Sequence, residues 1–73
     1  MSERTDNIIG TLAGIDLLLR SELETDLAGQ GAALAQALAM WLMRHPKQER
    51  KVVLDLHLIG VRDTLTRRER EEG

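Results

Sequence analysis

The sequence contains no cysteine, one proline and a single aromatic residue, Trp41. Each scarcity excludes something. Without cysteine there can be no disulfide and no thiolate metal ligand. His45 and His57 are the only histidines, too few for a dedicated structural zinc site. Strands are enriched in aromatic and β-branched residues, and this chain has neither Phe nor Tyr. Its apolar set is mostly Leu, Ala and Ile, which favours helix. Long apolar runs are missing too. The longest uncharged stretch is 27–43, seventeen residues that include Gln30 and Gln36, at the short limit for a membrane span. The N-terminal region lacks a basic segment followed by a continuous apolar one, because Asp16 and Arg20 interrupt it. No membrane span and no secretory signal are expected, and a cytoplasmic location follows as the expectation.

What remains is a short chain with ample apolar surface. Seventy-three residues make one small domain, 1–73, which is marginal in stability by itself. Small proteins recover stability through disulfides, metals or association. Only association is open here, so a homo-oligomer or a subunit completed by a partner is expected. At 42% hydrophobic and 30% charged, the chain is too apolar for intrinsic disorder.

The net charge of −2 hides an asymmetry. Residues 1–26 carry six acids against Arg4 and Arg20, a net of −4. Residues 27–43 carry no charge. Residues 44–73 carry eight bases and six acids, a net of +2, and Arg44, Lys47, Arg50 and Lys51 cluster at their start.

Periodicity points to helix along most of the length. Ile8, Leu12, Ile15 and Leu19 recur at spacings of four, three and four, one helical stripe. Thr5 or Asp6 is suited to cap it. Gly10 and Gly14 occupy another face, either as a close-approach site for a second helix or as tolerated glycines. Ser21-Glu22-Leu23-Glu24 matches a capping box and could open a new helix. Leu23 and Leu27 prolong the stripe, which favours continuity to about residue 28. Gly29-Gln30-Gly31 then reads as the interruption.

In the following segment Leu34, Leu38 and Trp41 form one face, and Ala28, Ala32, Ala35 and Ala39 a second on which another helix could pack closely. Pro46 ends it or starts the next helix. Leu54, Leu58, Val61 and Leu65 form a seam of coiled-coil type. The alternation in Val52–Ile59 also suits a strand. Helix is the preferred reading, since the seam continues past it and a lone strand would lack a partner. The predicted fold is all-α, with helices near 6–28, 32–44 and 47–71. Two or three helices would pack as an antiparallel hairpin or bundle, completed by homodimerisation.

No catalytic constellation emerges. Neither Ser2 nor Ser21 sits in a nucleophile elbow, and His57 and Asp55 lie on different faces of a helix. No catalytic, cofactor-binding or metal-binding residues are assigned, and no enzymatic activity is expected. The notable feature is Met40-Trp41-Leu42-Met43, which covers the full circumference of a helix. One face cannot bury all four. Met40, Trp41, Leu42, Met43 and the adjoining Arg44 are therefore the candidate protein-binding residues, in a homodimer core or on a patch for a different protein. Lys47, Arg50 and Lys51 are candidate contacts to an anionic partner.

These readings point to a regulatory or adaptor protein of the inhibitor, anti-activator or chaperone type, binding another protein through helical surfaces. A helical dimer that binds nucleic acid through the basic turn at 44–51 is the alternative. Against it stand the acidic chain and the lack of any stacking aromatic except Trp41 near the basic cluster. An obligate subunit of a larger assembly is the third reading.

Overall fold

Ser2, rather than Thr5 or Asp6, caps the first helix. Its Oγ accepts from the Thr5 backbone N–H at 3.2 Å, and its carbonyl accepts from Asp6 at 3.1 Å. The side chain satisfies an amide of the first turn that has no intrahelical partner. A computed structural model of the chain describes residues 2–73, and they are all-α with no strand. Three α-helices follow in order: α1, Glu3–Leu23; α2, Leu27–Leu42; and α3, Arg50–Glu72, preceded by a 3-10 turn at Lys47–Glu49. The 52–59 segment lies inside α3, so helical periodicity prevails over alternation there.

The first break falls earlier than the sequence pattern suggests. Continuity to residue 28 and an interruption at Gly29-Gln30-Gly31 are both corrected. α1 stops at Leu23, and both glycines lie inside α2. Asp26 is the reason. Its carboxylate accepts from the Gly29 backbone N–H at 2.9 Å, the geometry of a helix N-cap. Gly29 therefore lies in the first turn of α2 and does not end α1. The turn is closed by Asp26 N–H to the Leu23 carbonyl at 2.7 Å and by Gln30 Nε2 to the Glu24 carbonyl at 2.8 Å. Glu24 adopts φ 44°, a left-handed conformation that a non-glycine residue enters at a cost. The Ser21–Glu24 capping box does not open a helix; it spans the last turn of α1 and its C-cap.

The chain divides into two units, Met1–Gln36 and Ala37–Gly73. In the first, α1 and the 27–36 portion of α2 make no close backbone approach. α1 carries one ion pair, Arg20 with Asp16 one turn earlier, exposed at the surface. In the second, the end of α2 turns into α3, and Trp41 and Leu42 are half-buried together with Val53 and Leu54. Neither unit buries any side chain fully among the described residues. Gly10 and Gly14 have open space where a Cβ would project, so nothing in their unit uses them for close approach.

The reassigned break is testable by circular dichroism under thermal or urea unfolding. Asp26→Ala should reduce the stability of helical structure by about 1 kcal/mol through loss of the cap. Glu24→Gly should raise it by up to about 1 kcal/mol by relieving the left-handed residue. If Asp26→Ala has no effect, the assigned cap is wrong.

Candidate interaction site

The Met40–Arg44 segment falls where α2 ends, and the helix end splits it. The Met43 amide still reaches the Ala39 carbonyl at 3.1 Å. Arg44 and His45 then bond three residues back, to Trp41 and Leu42, each at 3.0 Å, tightening the chain into a turn. Helical spacing sends the four large side chains in different directions. Trp41 and Leu42 are half-buried, whereas Met40 and Met43 are 72% and 65% exposed. Arg44 is exposed.

Trp41 finds its cover within its own unit. His45 stands edge-on to the indole at 4.7 Å between ring centroids, and His57 of α3 does the same at 4.8 Å. Both are the T-shaped arrangement that aromatic quadrupoles favour. His57 is oriented by its Nδ1–H, which donates to the Val53 carbonyl at 2.7 Å. His45 Nδ1 is shut off from solvent and has no hydrogen-bond partner. From the sequence the two histidines are weighed for a zinc site, and His57 with Asp55 for a catalytic pair; in the structure both histidines pack around the tryptophan. The signal was present in their spacing, since His45 lies four residues after Trp41, one helical turn along.

Arg50 separates from the other bases. Its Nε donates to the His45 carbonyl at 3.1 Å and its Nη2 to the Met43 carbonyl at 3.4 Å. A guanidinium is therefore spread across two carbonyls of the turn that follows α2, those of Met43 and His45. This side chain is half-buried, whereas Arg44, Lys47 and Lys51 are exposed. The basic turn thus holds three solvent-facing cations, and its fourth braces the turn.

The remaining surface is open. A shallow trough along α1 is lined by Ile8, Leu12 and Ile15, and another along α3 by Leu58, Val61 and Leu65 with Leu38 of α2 beside them. Among the described residues no group of three or more His, Asp or Glu side chains could hold a metal ion. No helix there is long and apolar enough to cross a membrane. No protein-family model matches the chain, and no curated protein or solved structure is significantly similar to it.

Trp41 is the sole aromatic residue, so its fluorescence reports on this turn alone. Arg50→Ala should destabilise the turn by about 1.5–3 kcal/mol, the range for hydrogen bonds from a charged donor. Arg50→Lys should recover only part of that, since an ammonium lacks the planar fork. Urea titration followed at Trp41 measures both. Wild-type stability of Arg50→Lys would show instead that charge alone braces the turn.

Proposed function

We propose that this chain works by binding protein through the apolar faces of its helices, as a regulatory or adaptor protein and not as an enzyme. The observation that carries this reading is α2. It is a helix without a single charged side chain, and Leu27, Leu34 and Met40 stand 76%, 47% and 72% exposed. A helix apolar around its circumference is ordinarily buried on several sides. Its alanine face, Ala28, Ala32, Ala35 and Ala39, is exposed as well and would let another helix approach closely. Met40 and Met43 suit such a surface, because an unbranched thioether adapts to irregular neighbours. Homodimerisation, and an antiparallel helix pairing formed by it, belong to the same proposal. The exposed Arg44, Lys47 and Lys51 beside Met43 supply a polar, cationic rim suited to acidic groups on a partner. Binding of nucleic acid by this turn is less well supported, since Arg50 is committed to backbone carbonyls and acids outnumber bases in the chain.

A charge placed on the alanine face discriminates between a covered and a free surface. In a chain whose α2 stays solvated, Ala35→Glu costs only a few tenths of a kcal/mol in helix propensity. Where α2 is covered, the same carboxylate is buried without a partner. The variant should lose at least tenfold in self-association or in recovery of the protein that co-purifies with the wild type. Native mass spectrometry reads both. Undiminished association would contradict a role for this face.

A further inference from the structure

We propose that the joint between α1 and α2 is a two-state hinge, exchanging the bent form of the structure for a straight one in which the two helices run on as one. The inference goes beyond protein binding and does not depend on what covers the helix faces. It rests on three features of the joint: a sequence that permits helix, a bend that gains no packing, and a residue held in a left-handed conformation.

Nothing in the joint forbids helix. Glu24, Thr25 and Asp26 separate α1 from α2, and neither glycine nor proline occurs between Gly14 and Gly29. The apolar stripe also crosses the joint in phase. At about 100° per residue, Leu12, Ile15, Leu19, Leu23, Leu27 and Leu34 fall within an arc of roughly 120° on one continuous helix. Continuation would let the last carbonyls of α1 and the first amides of α2 bond to one another instead of ending two helices. Against it, Thr25 and Asp26 are modest helix formers, and Glu22 and Asp26 repel when one turn apart. These costs keep the straight form the minor one.

The bend is held by little. α1 and the 27–36 portion of α2 make no close backbone approach, and Leu27, beside the joint, stays 76% exposed. Bending therefore packs no apolar face against another. What holds it is local hydrogen bonding. The Gly29 amide donates to the Asp26 carboxylate at 2.9 Å, Gln30 Nε2 to the Glu24 carbonyl at 2.8 Å and the Asp26 amide to the Leu23 carbonyl at 2.7 Å. The two side-chain bonds are exposed, where water competes for the same groups. Opposing them is Glu24, the one residue other than glycine with positive φ among the described residues. A left-handed glutamate is a cost that the straight helix removes.

The hinge sets how much apolar surface is continuous. In the bent form the stripes of α1 and α2 are separate faces. In the straight form they join end to end. A few hydrogen bonds weighed against one strained residue, with no packing on either side of the balance, make an element that a small change in interaction can tip.

Two single substitutions push the hinge in opposite directions. Asp26→Ala removes the cap and the repulsion from Glu22, and should raise the ratio of straight to bent about fivefold or more. Glu24→Gly relieves the left-handed residue and disfavours helix through the joint, so it should lower the ratio by about the same factor. Because the chain has no cysteine, spin labels attach only where one is introduced, by Asn7→Cys and Gln36→Cys at two exposed positions. A continuous helix holds these positions roughly 43 Å apart, and a bend brings them closer. Pulsed electron paramagnetic resonance on the full chain, diluted with unlabelled chain so that only distances within one molecule are read, resolves the two forms. The labelled chain should show a dominant short distance and a minor peak at the straight-helix value. That peak should grow on adding Asp26→Ala and fade on adding Glu24→Gly. The hinge is overturned by a straight-helix peak absent from all three chains, dominant in all three or unmoved by either substitution. A broad, featureless distribution in the Asp26→Ala chain overturns it as well. None of these outcomes bears on protein binding through α2.

Discussion

The structure depends on one constraint: the middle helix has no charge to offer water, and its own unit partners do not cover it. A helix satisfies its backbone groups internally wherever it forms, so hydrogen bonding sets no requirement for a second chain. Apolar side chains do set one. Each fully covered leucine or isoleucine contributes about 1.5–3 kcal/mol relative to an exposed one. Here none is buried, and the half-buried apolar side chains gather mainly at the turn between α2 and α3. Helices of 16 to 23 residues without packed faces are marginal in water, so their order is tied to whatever covers them.

That arrangement gives the parts different roles. The turn after α2 is held by local chemistry: an indole between two imidazoles and a guanidinium across two of the turn's own carbonyls. It is the best-braced part of the described chain. The long faces on either side, by contrast, are apolar and exposed, and it is these that the proposed partner covers. On the proposed function, folding is coupled to binding, which makes the level of assembly responsive to concentration.

Much of the secondary structure was legible from spacing alone. The stripes from Ile8 to Leu19 and from Leu54 to Leu65 identify α1 and α3, and the periodicity of the second outweighs its local alternation. The first turn was misread because two glycines are a louder signal than one aspartate. Gly29 lies in the first turn of the helix that Asp26 caps, a relation visible only when the cap is recognised three residues ahead. Met40 to Met43 stood out as more apolar than one face can bury. Which of the four turn inward depends on where the helix ends, and the run of residue types does not encode that. The basic cluster concealed Arg50 for a similar reason. Composition counts four cations, while geometry removes one into the backbone.

The central claim is that the helix faces are covered by another chain, and thermal unfolding across a wide range of protein concentration tests it most directly. Circular dichroism from the low to the high micromolar range should show a midpoint that rises with concentration, because unfolding is then linked to dissociation. Helicity should fall at the dilute end. A cooperative transition with the same midpoint and the same helicity at every concentration would contradict the account, since the chain would then be stable without a partner.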